Sequence, residues 1–211
     1  MAAGDAVGVF DGAGHEWSGR IVSADRSGVA VELLAPIDPV PEPAVHTVLA
    51  IGLLKGDQMD AVVRDATMLG VAEIVPMVTA HVAVSGHVRE SDKAVDRWTR
   101  VAIASARQCG RAVVPRIATV TPFQTVLAQT IRDETIIAIE PAVADLETNP
   151  PWVRPKKALL LVGPEGGWSR AEVESAHKSG ARVRQLGPRT LRAESAPIVL
   201  LSSLWTEWGW S

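Results

Sequence analysis

Short alternating or apolar runs open the chain. Residues 7–10 (VGVF), 17–24 (WSGRIVSA) and 28–34 (GVAVELL) predict strands, because a period of two suits a half-buried sheet. Between them stand DGAGHE and DRSG, rich in the Gly, Asp and Ser that tight turns use. Residues 37–45 (IDPVPEPAV) then carry three prolines in nine positions. Proline fixes φ and removes a donor, so this stretch predicts a stiff, extended linker. Beyond it the pattern changes. Continuous apolar runs at 46–54, 71–78, 134–140 and 156–163 predict strands buried on both faces, and 113–120 and 181–187 predict two more. Helical spacing at 57–70, 91–110, 121–131, 169–180 and 194–210 places helices between them. Ser91 is a candidate N-cap, Gly70 and Gly110 are candidate stops, and Ser169 with Glu172 forms a capping box. Strands alternating with helices predict an α/β domain with a mainly parallel sheet. The boundary falls near residue 44, giving domains 1–44 and 45–211.

Composition narrows the class. The chain has 211 residues, 47% hydrophobic and 21% charged, the balance of a globular protein and not of a disordered one. No apolar stretch reaches the 18 residues of a transmembrane helix, so no membrane role is expected. The start, MAAGDAVGVFDG, lacks the basic and apolar regions of a secretory signal. The single cysteine, Cys109, makes neither an internal disulfide nor a cysteine-based zinc site, and suits a reducing cytoplasm. Five histidines lie scattered without H-x-x-x-H spacing, so no metal is expected.

Net charge is -3, which gives no global attraction for nucleic acid. Its distribution is uneven. Residues 1–45 hold two basic and seven acidic side chains, a net of -5, whereas residues 84–116 hold seven basic and three acidic, a net of +4. Contacts to a polyanion are therefore expected in the second stretch, with Arg89, Arg97, Arg100 and Arg111 as candidates. The simpler reading of those arginines is a solvated helix face.

Two loops carry the candidate chemistry. In ALLLVGPEGGWSRAEVESA a buried strand runs through Gly163, Pro164, Glu165, Gly166 and Gly167 into a capped helix. Glycines permit close backbone approach, and ligands of open α/β sheets sit beyond the carboxyl ends of strands. The spacing matches neither a dinucleotide fingerprint nor a P-loop, which disfavours an unrelated nucleotide-binding enzyme. The second loop, QLGPRTLRAESAP, carries Arg189, Arg192 and Glu194 ahead of an apolar helix. Physics alone leaves both a ligand pocket and plain structural turns open.

The motifs GPEGGW at 163–168 and LGPRTLRAESA at 186–196 resemble the two C-terminal motifs of the 16S ribosomal RNA uracil-N3 methyltransferase family (the RsmE family, of the SPOUT superfamily). KGDQMDAVVRDATMLGVAEIVPM, WTRVAIASARQCGRAVVPRI and FDGAGHEWSGRIVSADRSGVAVEL extend the resemblance over nearly the whole chain. It implies a SPOUT-type, trefoil-knotted methyltransferase domain behind a small PUA-like β-barrel that is N-terminally short. It also implies a cytoplasmic homodimer that uses S-adenosylmethionine to methylate N3 of a uridine in 16S rRNA of the small ribosomal subunit.

Carried over by motif, the cofactor cradle comprises Gly163, Pro164, Glu165, Gly166, Gly167, Leu186, Gly187, Thr190 and Leu191. Ile139 and Glu140 provide a third contribution from an earlier strand. Arg192 and Glu194 fall where the family has polar residues near the reacting end: Arg192 to stabilise charge developing on the uracil ring, Glu194 to orient it or accept a proton.

This sequence departs from the family pattern at Arg64, Met68 and Arg107, where Lys, Glu and Glu are usual. Any ion pairs of those glutamates are expected to be lost. With the acidic N-terminal part, these changes frame an alternative: a non-catalytic ribosome-binding or assembly protein on the same fold. Trp205, Trp208 and Trp210 are read as packing aromatics, Cys109 as a small packing residue and His177 as solvated.

Overall fold

A computed structural model describes residues 2–82, 92–129, 133–141 and 153–210. Strands β1 (Ala6–Phe10), β2 (Glu16–Asp25) and β3 (Gly28–Ile37) form an antiparallel meander. Among the described residues this is an open three-stranded sheet and not a closed barrel. Its turns follow the Gly–Asp–Ser chemistry of the sequence. At the β1–β2 turn the Asp11 carboxylate accepts the Ala13 N–H at 2.7 Å and the His15 ring at 2.7 Å. The Ala13 N–H first, and His15 second, hold that carboxyl below the usual aspartate range.

The second sheet is parallel throughout. Its strands are β4 (His46–Gly52), β5 (Glu73–Val78), β6 (Arg116–Ile117), β7 (Thr121–Pro122), β8 (Glu134–Ile139), β9 (Lys157–Val162) and β10 (Arg182–Gln185). The spatial order is β10-β8-β9-β4-β5-β6, with β7 also paired to β5. One face is covered by α1 (Gln58–Met68), α2 (Asp92–Cys109) and α5 (Ala196–Trp208). The other lies under α3 (Phe123–Ala128) and α4 (Arg170–Lys178). Along β4, Leu49 and Ile51 enter the first core and Ala50 the second. Burial of both faces is why these strands read as unbroken apolar runs. Ser169 caps α4 with Glu172 as its reciprocal partner.

Two predicted elements are shorter than expected. The run 113–120 pairs as a strand only at Arg116–Ile117. Val113 instead bridges Gly12 and Ala13, and the Val114 N–H donates to Gly12 O at 2.9 Å. Pro115 has no N–H to extend the ladder. The helix over 121–131 is confined to Phe123–Ala128, starting after Pro122. The proposed N-cap Ser91 lies outside the described residues.

Arg111 has a different job from the RNA contact expected of it. Its side chain is only 7% exposed. Its guanidinium donates to Glu42 at 2.5–3.1 Å and to Thr67 O at 2.9 Å. A buried, fully engaged guanidinium has no face left for a phosphate. Glu42, from the proline linker, lines one small cleft with Met68 and Arg111. The linker is also held by Trp210, whose indole N–H donates to Pro41 O at 3.3 Å, and by Ala44 N–H to Trp210 O at 2.9 Å.

Trp205 stacks edge-on with Trp208 and Trp210, at ring-centre distances of 6.1 and 5.4 Å. Cys109 is exposed and does not serve as a packing residue. We expect Arg111→Met to cost about 1–2 kcal/mol, because it removes the charged bonds to Glu42 and one of two donors to the Thr67 carbonyl, which keeps the Gly70 N–H at 3.1 Å. Urea unfolding measures this; an unchanged midpoint would mean that Trp210 alone holds the linker.

Candidate active site

Three adjacent strands decide where the site lies. β10, β8 and β9 are neighbours and parallel. Their carboxyl ends therefore share one edge of the sheet, and the loops that leave them converge. β8 delivers Ile139 and Glu140, β9 delivers the loop from Gly163, and β10 delivers the loop from Leu186. Together they enclose a cavity of 280 Å³. Of the expected cradle, Ile139, Glu140, Gly163, Pro164, Glu165, Leu186, Thr190 and Leu191 line it, and so do Arg192 and Glu194. Apolar residues Ile139, Val162, Leu186 and Leu191 line it together with the Gly163–Glu165 turn, which suits a flat heteroaromatic ring.

Gly166, Gly167 and Gly187 do not line the cavity. Gly166 packs on the segment after β5: a Cβ there would stand 2.8 Å from His81 Cβ and 2.9 Å from His81 O. His81 Nδ1 lies 3.0 Å from Gly166 O. Gly167 has φ +68°, and its N–H closes a turn onto Pro164 O at 2.9 Å. Gly166 and Gly167 thereby fix the shape of the first loop.

The loop is anchored at both ends. Before it, Pro164 lies against Gly52 at the end of β4, where a Cβ would be 2.6 Å from both Pro164 Cδ and Pro164 N. After it, the indole N–H of buried Trp168 donates to Ala138 O at 2.8 Å. Buried Glu172 joins the loop's exit to the strand β5 side. One carboxylate oxygen accepts Ser169 N–H at 3.0 Å and Ser169 O–H at 2.8 Å, and the other accepts Ala80 N–H at 2.8 Å.

Sequence reasoning missed Gln58, Ala138, Pro141, Val162, Ala193 and Ala196 as lining residues. Gln58 is the instructive case. It sits in the first turn of α1, far from either motif. With its amide nitrogen turned inward, it donates to Glu165 Oε1 at 2.6 Å and to Lys55 O at 3.3 Å. Glu165 Oε1 also accepts Lys55 N–H at 2.9 Å. No local pattern marks a residue that joins a site through such a distant contact.

At the cavity mouth Arg192 Nη1 stands 3.8 Å from Glu194 Oε1, with side-chain exposures of 83% and 23%. Arg189 lines the same mouth. The remaining RNA candidates lie on α2. Arg97 is bound to Asp60 at 2.5–2.9 Å, and Arg100 Nε donates to Asp96 O at 3.2 Å; both are exposed. Arg89 lies outside the described residues. Among the described residues no group of three or more His, Cys, Asp or Glu is placed to hold a metal, and no helix is long and apolar enough to cross a membrane.

Comparison with known proteins gives consistent matches. The family described as an RNA methyltransferase domain matches residues 41–205, and that of an RNA methyltransferase PUA domain matches residues 1–34. The chain is 30% identical to ribosomal RNA small subunit methyltransferase E of Bacillus subtilis (strain 168) over 211 residues, spanning 97% of this chain and 82% of that one. It is 28% identical to the protein of that name from Synechocystis, over 97% and 67% of the two chains. Among solved structures, ribosomal RNA small subunit methyltransferase E from Neisseria gonorrhoeae, bound to S-adenosylmethionine, superposes with a TM-score of 0.84 at 26% identity, over 99% and 85% of the two chains. A Legionella pneumophila protein solved with the same bound cofactor gives 0.85 at 26%, over 98% and 84%.

Proposed function

Because the chain belongs to the ribosomal RNA small subunit methyltransferase E family, we propose that it methylates N3 of a uridine in the 16S rRNA of the small ribosomal subunit. The observation that carries this reading is the cavity at the shared edge of β10, β8 and β9. The cofactor is S-adenosylmethionine, and the residues present fit it. Backbone from the 163–165 and 186–191 loops offers N–H and C=O groups for an adenine edge. Val162, Ile139, Leu186 and Leu191 offer apolar surface for its faces. The close Gly52–Pro164 approach holds the first loop in shape without a side chain filling the gap.

When bound, S-adenosylmethionine supplies an activated methyl group, so the protein's task is to position the acceptor and handle charge. Arg192 stands at the mouth, where it stabilises negative charge on the uracil ring as the N3 proton leaves. Glu194 is near enough to orient Arg192 or to take that proton. Covering by RNA removes water from the mouth and strengthens both contacts. Arg97 and Arg100 on the solvent face of α2, together with Arg89, are the proposed phosphate contacts.

The wider reading follows the family: a homodimer acting in the cytoplasm, with domains meeting near residue 44. The order that inserts β9 between β8 and β4, followed by the return of 186–208 to the α1 face, agrees with a knotted chain path.

Calorimetric titration with S-adenosylmethionine tests the cavity. Methyl transfer to small subunits, followed by nucleoside analysis, tests the product. We expect micromolar binding and N3-methyluridine. A folded protein that binds no cofactor overturns the enzyme reading and supports the non-catalytic alternative. Methylation at another atom overturns only the N3 assignment.

A further inference from the structure

Five charged side chains line the cavity: Glu140, Glu165, Arg189, Arg192 and Glu194. They are not equivalent. Glu165 is satisfied by the Lys55 N–H and the Gln58 amide. Glu194 faces Arg192 at 3.8 Å. Glu140 and Arg189 have no hydrogen bond or ion pair among the described residues. Among the described residues the cavity therefore holds one unpaired charge of each sign, with Glu140 half-buried and Arg189 exposed.

Glu140 follows β8 and is half-buried. Its Oε1 lies 2.6 Å from where a Cβ on Gly167 would stand. The carboxylate is thus laid against bare glycine backbone, with no donor to it among the described residues. A carboxylate removed from water without a partner is poorly solvated. A cation entering the cavity would supply the missing partner without breaking any existing protein contact. Arg189 offers the matching site for a carboxylate, so the pair suits a zwitterion that carries an extra positive charge.

We propose that Glu140 is the residue by which this cavity distinguishes the sulfonium-bearing methyl donor from its uncharged thioether product, S-adenosylhomocysteine. The inference rests on the reading of the cavity as the cofactor site. During transfer the S–CH3 bond breaks, its electron pair stays on sulfur, and the methyl group bonds to the acceptor nitrogen, which gives up its proton. The ligand loses one positive charge in that step. Glu140 then again faces no cation, and the product is held less tightly than the donor was. Gly167 gains a second purpose: a side chain there would push the carboxylate away.

The test is calorimetry of the native protein, Glu140→Gln and Glu140→Asp with S-adenosylmethionine and S-adenosylhomocysteine. We expect the native protein to favour the donor by about tenfold, the size of one half-solvated charge pair. Glu140→Gln should erase the preference by weakening the donor about tenfold and leaving the product within about twofold. Glu140→Asp, which keeps the charge, should retain part of it. Equal affinity of the native protein for both ligands overturns the inference and leaves the cofactor site standing. A Gln variant that weakens both ligands alike, or that keeps the preference, also overturns it. A native protein that binds neither ligand removes the cofactor reading and this inference together.

Discussion

Arg192→Ala should lower methyl transfer by about a hundred- to a thousandfold, the usual loss when one group stabilising a developing anion is removed. Affinity for S-adenosylmethionine should stay within about twofold, because the cradle is built elsewhere. The argument is geometric. Arg192 is 83% exposed and its contact with Glu194 is loose, at 3.8 Å. Removing it leaves no buried charge stranded, so stability should hardly move. On the proposed reading, RNA covers this long, solvated arginine during transfer, and its field then acts at low dielectric. Single-turnover transfer under saturating cofactor measures the effect. Turnover close to native would remove Arg192 from the chemistry. Glu194→Gln separates the two roles considered for Glu194. If that residue takes the proton, the variant loses rate even though Arg192 is intact. If it only orients Arg192, the amide retains most of the rate.

Gly52→Val should be the most damaging single change to the cofactor site, although Gly52 is in neither motif. Its Cβ would stand 2.6 Å from Pro164 Cδ and from Pro164 N. Neither contact can relax as the end of a flexible side chain does, because one is backbone and the other a ring closed on it. The strand end or the loop has to move. Overpacking a buried position in this way costs about 3 kcal/mol. A shift of about an ångström in Pro164 and Glu165 should weaken cofactor binding about a hundredfold, as misplaced binding groups do.

Gly180→Ala is the control. Gly180 has φ +87° and open space around it, so a Cβ there strains the backbone at about 1 kcal/mol without touching the cavity. Parallel melting and calorimetry then separate lost stability from lost shape. Unchanged affinity in Gly52→Val would show that the loop is not seated on β4. A Gly166 substitution is less informative, since its Cβ would strike His81 and not the cavity.

The outline of the fold was legible because apolar runs and helical spacing report burial directly. The runs at 46–54, 134–140 and 156–163 became β4, β8 and β9, all buried on both faces. Ser169 and Glu172 formed their capping box because a cap is a local device, fixed by residues three apart. The segment 113–120 was misread where a long-range partner intervened: Gly12 and Ala13 took the hydrogen bonds that β6 would have used. Arg111 was misread for the same reason. Its sequence neighbourhood is basic, but its partner Glu42 comes from the linker 69 residues away.

The sequence by itself determined the alternation of strands and helices, the glycine-rich loop, the paired motifs and their family. Each is a property of neighbouring residues or of a short pattern. Only the tertiary structure decided that β10, β8 and β9 lie side by side, so that loops from three separate stretches close on one cavity. It also decided which glycine lines the cavity, Gly163, and which brace the loop behind it, Gly166 and Gly167. It showed that Gln58 and Lys55 hold Glu165 and that Glu140 has no donor among the described residues. Strand order and charge pairing are set by which distant surfaces bury each other, and a linear pattern of apolar and polar residues does not encode that choice.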